Sequence, residues 1–148
     1  MREKSEAQHY LSQVELIDSI INNKLIEQRQ WREVALGITA NMGGERVQSC
    51  GSPSKMADAV EKCVDMEREI DGYIDRMIDT KRDVIQTLEQ LSNPTYYNVL
   101  HLHFIQLKNL MEIAEIYGKE YGWVTTTKGR ALAEVQKILD ARNAKEGA

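Results

Sequence analysis

The feature that most constrains the fold is the spacing of helix-breaking residues. Proline occurs only at Pro53 and Pro94, and no glycine precedes Gly37. On either side of the cluster "NMGGERVQSCGSPS" (41–54), apolar residues recur at alternating steps of four and three, which places them on one face of an α-helix. A stripe sustained over about five heptads normally packs against a partner helix. We therefore expect residues 1–92 to form two long helices, each about 50 Å in length, that fold back as an antiparallel, coiled-coil-like hairpin.

The two predicted stripes specify which side chains should face each other. In the first segment the apolar members are Tyr10, Val14, Ile17, Ile21, Trp31 and Ile38. In the second they are Met56, Val60, Cys63, Ile70, Ile74, Met77, Val84, Leu88 and Leu91. Polar residues interrupt the stripes at Lys24, Gln28, Glu67 and Lys81, and Ser54 is a candidate cap for the second helix. Because a two-helix hairpin has a thin core, we expect a third helix or a second copy of the chain to complete it.

Residues 93–148 are expected to form a separate domain of three shorter helices. The segments are "PTYYNVLHLHFIQ", "NLMEIAEIYG" and "EYGWVTTTKGRALAEVQKILDARN". Asn93 followed by Pro94 is typical of a helix start, and Asn109 is a second cap candidate. In the first of these helices Val99, Leu100, Phe104 and Leu107 are predicted to point inward. The predicted fold class is therefore all-α, with a hairpin followed by a trihelical domain.

The last two of these helices satisfy the steric requirements of a helix-turn-helix. With Leu110 as the first position of the motif, Ala114 supplies the small residue where the helices approach closely. Gly118 supplies the residue that tolerates left-handed backbone angles in the turn. Val124 supplies the β-branched residue that locks the second helix onto the first. The pattern predicts a tight corner at Gly118 with the second helix as the DNA-reading element.

The outer face of that second helix carries the candidate DNA contacts. Hydroxyl groups can bond bases or phosphate oxygens, a threonine methyl can pack on the methyl of thymine, and lysine and arginine can neutralise phosphates. The predicted DNA-binding residues are Lys119, Tyr121, Thr125, Thr126, Lys128 and Arg130. Glu120 is a candidate to accept from cytosine N4 or to cap the helix, and we expect the cap. The alternative interpretation of the threonines is a solvated helix face.

Charge and composition narrow the functional classes. The formal net charge is −4, which argues against nonspecific nucleic-acid binding. The acidity lies in residues 1–92, with 12 Lys/Arg against 17 Asp/Glu, whereas residues 93–148 carry 7 against 6. No apolar run approaches the roughly 18 residues of a membrane span, and no secretory signal is visible. Cys50 and Cys63 are expected to be reduced thiols of a cytoplasmic protein.

Catalytic and metal chemistry have little support in the sequence. His101 and His103 are spaced two residues apart on a helix and so point to different faces, whereas a helical metal site needs a spacing of three or four. No nucleophile is paired with a base anywhere. We expect no enzymatic activity, no metal and no cofactor.

The C-terminal segment resembles the promoter-binding helix-turn-helix of sigma-70-type factors, in "EIAEIYG" followed by Val124 and "RAL". From about Tyr10 to Leu139 the chain is similar to a family of small phage and prophage proteins of Gram-positive bacteria. The loop segment "ERVQSCGSPSKMADAVEKCVDMEREID" carries much of this likeness. The sequence departs from these relatives at Thr126 and Lys128, where Arg and His are common. The resemblance implies a regulator of phage late transcription, of the ArpU or RinA type.

Three functions are therefore carried forward. The first is a sequence-specific DNA-binding transcription regulator that binds double-stranded DNA, with RNA polymerase as a further candidate partner and the hairpin setting the oligomeric state. The second is a DNA-packaging component resembling a small terminase subunit. The third is a helical adaptor that binds protein rather than DNA. No chemistry is assigned to the loop from Gly43 to Pro53.

Overall fold

The computed structural model describes residues 5–37 and 53–147, and within these ranges the chain is helical without strands. The elements are α1 (Glu6–Leu11), α2 (Gln13–Ala35), α3 (Pro53–Leu88), α4 (Pro94–Leu100), a π-helical turn (His101–Ile105), α5 (Leu110–Tyr117) and α6 (Tyr121–Glu146). The prediction of an all-helical fold is thus confirmed for the described residues. The loop assigned to residues 43–53 lies outside them, except that Pro53 begins α3.

The chain divides into two compact units. One comprises Met1–Leu16 and Met77–Ala148, and the other comprises Ile17–Arg76. The boundary predicted at residue 92 divides the chain by function, into an oligomerising hairpin and a DNA-binding domain, and it stays a prediction. We call Ile17–Arg76 the two-helix unit and the other the C-terminal unit, and we describe each separately.

In the two-helix unit, α2 and α3 run in opposite directions. Gln28 Nε2 donates to the carbonyl oxygen of Cys63 at 3.2 Å, and one turn earlier in α2 Lys24 Nζ lies 3.0 Å from Glu69 Oε2, farther along α3. Lys24 and Gln28 therefore face the partner helix even though they interrupt the apolar stripe. Gln28 is buried and satisfies its amide through the Cys63 carbonyl.

The α3 stripe of this unit differs from the prediction at alternate positions. Cys63 and Ile70 face inward as expected, and Ile70 is 5% exposed. Val60 and Ile74, in contrast, are 50% and 41% exposed. Their inward places are taken by the preceding residues, which are Ala59 and Tyr73, and Met66 is buried in place of Glu67. A shift of one residue rotates a side chain by about 100°. Two sets of residues, both containing Cys63 and Ile70, satisfy the same helical spacing. The set that packs inward contains Met66, and the other set contains the carboxylate of Glu67.

The C-terminal unit contains the larger core. Helices α1, α4 and α6, the start of α2, the end of α3 and the π-helical turn bury one apolar cluster, formed by Ala7, Leu11, Val14, Val84, Leu88, Leu100, Phe104, Ile105, Ala131, Val135 and Leu139. The amide of Ala7 donates to Gln136 Oε1 at 3.0 Å, which fixes α1 on α6. The sequence pattern gave no sign of this packing, because the spacing in α1 continues that of α2.

A polar network crosses the same unit. The Tyr10 hydroxyl donates to Asp83 Oδ2 at 2.6 Å and lies 2.8 Å from Thr87 Oγ1. Asp83 Oδ1 accepts from an Arg142 guanidinium nitrogen at 3.2 Å. Burial, followed by the Asp83 carboxylate, raises the pKa of Tyr10 above its ordinary value. The hydroxyl therefore stays protonated and continues to donate.

The start of α4 and the end of the following turn show one confirmed and one wrong prediction. Asn93 caps α4 by accepting from the amide of Thr95 at 2.9 Å, with Pro94 in the first turn, as predicted. Leu107, predicted to point inward, has φ +59° and is 38% exposed. The α-helix ends at Leu100 and the π-helical turn ends at Ile105, so Leu107 lies beyond both, in the left-handed region. Ser54 lies within α3, which begins one residue earlier at Pro53.

Candidate nucleic-acid interface

The first helix of the candidate motif is fixed at its start by a capping box. The Asn109 side chain accepts from the amide of Glu112 at 2.9 Å, and Glu112 Oε1 accepts from the amide of Asn109 at 3.2 Å. This reciprocal pair satisfies two amides that the first turn would otherwise leave unpaired. The predicted cap at Asn109 is confirmed, and α5 begins at Leu110.

The corner between α5 and α6 is left-handed at Gly118. Its φ of 61° and ψ of 36° lie in the region that glycine adopts without steric cost. The amide of Gly118 donates to the carbonyl of Glu115 at 3.1 Å, and that of Lys119 donates to the carbonyl of Ala114 at 2.9 Å. These bonds satisfy carbonyls at the end of α5. The predicted corner at Gly118 is confirmed.

A small apolar cluster holds the two helices together. Val99, Ile113, Ala114 and Val124 are buried against one another, with Leu102, Leu110, Tyr117 and Trp123 packed around them. Ala114 is 8% exposed and Val124 is fully buried. Both residues therefore belong to one buried cluster, as the predicted close approach of α6 to α5 requires. Thr127, at a position where apolar residues are commoner, is 7% exposed and faces inward like an apolar residue.

The outer face of α6 carries small, uncharged residues. Measured around the helix from the buried Val124, at about 100° per residue, Thr126 and Gly122 point away from the core. Thr126 and Gly129 are exposed, and Thr125 is half-buried, with its hydroxyl donating to the carbonyl of Gly122 at 3.0 Å. The Thr126 side chain is therefore exposed on this face, and Thr125 lies at its edge with its hydroxyl bonded within the helix.

The charged and aromatic candidates lie at the margins of this face. Arg130 is exposed on one flank of α6, whereas Tyr121, 53% exposed, lies on the other flank. Lys128 is half-buried on the Tyr121 side, and its Nζ lies 5.7 Å from the centre of the Phe104 ring. Lys119 is exposed at the corner before α6. The six predicted residues thus surround the start of α6 but do not form one continuous patch.

Sequence reasoning assigned no role to Trp123. Its ring lies 5.3 Å from that of Tyr117, and Lys119 Nζ lies 5.8 Å from the centre of the Trp123 ring. A cation held over an aromatic face is stabilised by the ring quadrupole. Trp123 therefore restrains the Lys119 ammonium beside the start of α6. The sign of this arrangement in the sequence is the pair of aromatic residues near the turn, with Tyr117 directly before Gly118 and Trp123 five positions after it.

Acidic side chains share this surface. Glu112 and Glu115 are exposed on α5, and Glu120 is exposed at the N-cap of α6. The Glu120 side chain makes no capping hydrogen bond, so the predicted cap is wrong in its chemistry although correct in its position. Carboxylates repel phosphate groups, so these three side chains do not favour a nucleic-acid interface.

The two histidines belong to the turn that precedes α5. His103 Nδ1 lies 2.8 Å from the carbonyl oxygen of Lys108, and His101 Nδ1 lies 3.0 Å from Gln106 Nε2. Burial lowers the pKa of His103 and outweighs the opposing effect of the Lys108 carbonyl, while Lys128 lowers it and Glu15 raises it by smaller amounts. The hydrogen bond between the neutral His103 ring and the Lys108 carbonyl connects the π-helical turn to the residue just before Asn109, the N-cap of α5.

Within the described ranges, no group of His, Cys, Asp and Glu side chains has the arrangement of a metal site. None of the described helices combines the length and the apolar character needed to cross a membrane. Cys63 is a half-buried free thiol, and Cys50 lies outside the described residues. Comparisons of the chain with protein-family models, with curated proteins and with solved structures gave no match.

Proposed function

We propose that the protein is a sequence-specific DNA-binding transcription regulator of phage or prophage type, in which α5 and α6 act as a helix-turn-helix. In this proposal α4 to α6 form the trihelical reading domain, and α2 with α3 forms the long hairpin that sets the oligomeric state. The observation that carries the proposal is the left-handed corner at Gly118. It joins two helices that share one core and leaves the Thr126 side of α6 open.

The proposed reading contacts are of two kinds. Thr125 and Thr126 offer methyl groups, and Thr126 a hydroxyl, to base edges in the major groove, where thymine methyls are the matching apolar group. Lys119 and Arg130 are exposed on either side and suit phosphate contacts, which position the helix without reading sequence. Tyr121 and Lys128 reach the duplex only at the margin of the face. RNA polymerase remains a candidate partner on the strength of the resemblance alone.

The test is a fluorescence-anisotropy titration of the full chain with labelled duplexes. Fragments from phage promoter and packaging regions are compared with random duplexes of equal length at about 0.15 M salt, where the Debye length is about 8 Å. Specific binding requires at least one fragment to bind more tightly than the random set. Equal affinity for all fragments contradicts sequence-specific regulation.

A matched pair of variants tests the face itself. Thr126→Glu places a carboxylate on the outer side of α6, where each nearby phosphate opposes it by about 1–4 kcal/mol. Affinity should therefore fall roughly fivefold to several hundredfold. Ser54→Glu makes a comparable hydroxyl-to-carboxylate change at an exposed position in the first turn of α3, where negative charge is favourable. It should leave DNA binding unchanged.

One observation favours the adaptor function as the second candidate. The outer face of α6 contains no Arg, Asn or Gln among Gly122, Thr125, Thr126 and Gly129, and three exposed carboxylates lie nearby. Small, uncharged helix faces also suit contact with another protein. The adaptor predicts no preference among duplexes and no difference between Thr126→Glu and Ser54→Glu in the same titration.

A further inference from the structure

Lys119 is held by an aromatic ring rather than by a carboxylate. Its Nζ lies 5.8 Å from the centre of the Trp123 ring, within the distance at which a ring quadrupole attracts a cation. Glu115 and Glu120 are exposed and close in sequence, yet among the described residues Lys119 forms no ion pair. An ammonium group has three donors, and the ring face occupies only one side of it. The other side, which is exposed, is available to an anion.

The Trp123 ring is itself fixed to both helices of the motif. It is half-buried and packs against the small apolar cluster between α5 and α6. On α5, the Tyr117 ring lies 5.3 Å from it. On α6, the amide of Trp123 donates to the carbonyl of Glu120 at 3.0 Å. The ring that restrains Lys119 is therefore part of the core of the two helices.

Arg130 provides an internal comparison. It follows Trp123 by seven residues, which return to within about 20° on an α-helix, so both side chains lie on the same flank of α6, about 10 Å apart along the axis. Lys119 and Arg130 are both exposed at the two ends of this flank. Within the described part of the chain, Arg130 has neither an aromatic ring nor a carboxylate as partner. An anion that binds both cations must order the Arg130 side chain, whereas Lys119 is already restrained.

We propose that Trp123 is a positioning residue for DNA binding, which holds the Lys119 ammonium where a backbone phosphate of the duplex accepts from it. This role rests on the proposed function. Restraining a long side chain before binding removes part of the ordering cost of the contact, which is worth roughly two- to tenfold in affinity. Phosphate contacts carry no direct sequence information. Trp123 therefore contributes to affinity and not to selectivity.

A double-mutant cycle on random-sequence duplexes tests this role. Fluorescence anisotropy of the full chain is measured at about 0.05 M salt, where phosphate contacts are strong. Trp123→Leu should weaken binding by roughly two- to tenfold, both in the wild type and in the matched background Arg130→Gln. In the background Lys119→Gln this loss should disappear, because the side chain that the ring positions is gone. A merely structural effect of the lost ring appears equally in all three backgrounds.

The salt dependence separates positioning from contact. Lys119→Gln should reduce the log–log salt slope by about 0.9, the value of one phosphate contact. Trp123→Leu should leave the slope unchanged, because the contact still forms at a higher ordering cost. Trp123→Phe keeps an aromatic face and should retain most of the affinity. Circular dichroism checks that each variant keeps its helices.

A measurement without DNA tests the restraint itself. In NMR spectra, the ring current should shift the Lys119 ε-methylene protons upfield in the wild type and in Trp123→Phe, and this shift should vanish in Trp123→Leu. Absence of the shift in the wild type overturns the proposal.

Equal losses from Trp123→Leu in the Lys119→Gln and Arg130→Gln backgrounds also overturn it, and they leave DNA binding by the helix-turn-helix standing. Equal affinity for all duplexes, in contrast, refutes sequence-specific regulation and leaves the cycle measurable on random duplexes. A chain that binds no duplex refutes both.

Discussion

The corner at Gly118 can be tested by adding one methyl group. In Gly118→Ala, the new Cβ meets no heavy atom within 4 Å, so the cost comes from the backbone alone. At φ 61° an L-residue is less stable by about 1–2 kcal/mol. Gly129→Ala is the matched control, because its Cβ also enters open space while its backbone is helical. Alanine stabilises a helix interior relative to glycine by about 0.5–1 kcal/mol. The same added atom should thus change the free energy of unfolding in opposite directions.

Urea denaturation followed by circular dichroism measures both variants. The midpoint should fall for Gly118→Ala and rise for Gly129→Ala, and in thermal unfolding each kcal/mol corresponds to about 2–4 °C. Gly118→Asn should lie between wild type and Gly118→Ala, because asparagine tolerates the left-handed region better than alanine. If Gly118→Ala is as stable as Gly129→Ala, the backbone at residue 118 is not left-handed, and the steric basis of the helix-turn-helix is refuted.

Two further predictions concern titratable groups of the C-terminal unit. The pKa of Tyr10 is raised by burial and by Asp83. Its contribution to the free energy of unfolding is therefore fully present below the ordinary tyrosine pKa of about 10. That contribution is lost as the pH rises through the raised pKa of the folded state. Urea midpoints between neutral and alkaline pH should show this loss, and Tyr10→Phe should remove it while lowering neutral-pH stability by about 1 kcal/mol. The pKa of His103 is lowered by burial. Its contribution to the free energy of unfolding is therefore present above the ordinary histidine pKa of about 6.5, and it is lost as the pH falls through the lower pKa of the folded state. Thermal midpoints between pH 7 and 5 should decline less steeply in His103→Gln, and an unchanged decline contradicts the assignment.

The sequence was most informative where local chemistry decides structure. Asn93, Asn109 and Gly118 were identifiable because capping and left-handed turns each require particular residue types. The burial of Ala114 and Val124 in one cluster followed from the same reasoning, since a close helix approach excludes larger side chains. These features depend on neighbours within a few positions, so no knowledge of the tertiary fold was required.

Prediction failed where two local solutions were equally good. On α3 the stripes through Val60 and through Ala59 share Cys63 and Ile70, and only contact with α2 distinguishes them. Leu107 looked like a continuation of its helix because its spacing from Phe104 is helical. The α-helical hydrogen bonding ends at Leu100, however, and Leu107 lies exposed beyond the π-helical turn. The packing of α1 on α6 joins residues more than a hundred positions apart. Periodicity carries no information at that distance.

In the proposed function, the charges near the reading helix limit how tightly a single chain can bind DNA. Each chain offers Lys119 and Arg130 as exposed cations beside the start of α6, against the nearby Glu112, Glu115 and Glu120. Two phosphate contacts give a salt dependence of about −1.8 in log–log form, at about −0.9 per contact, which is small for a specific DNA-binding protein. If two chains bound one duplex together, that slope would double and the second docking event would become intramolecular, which raises affinity without new contacts.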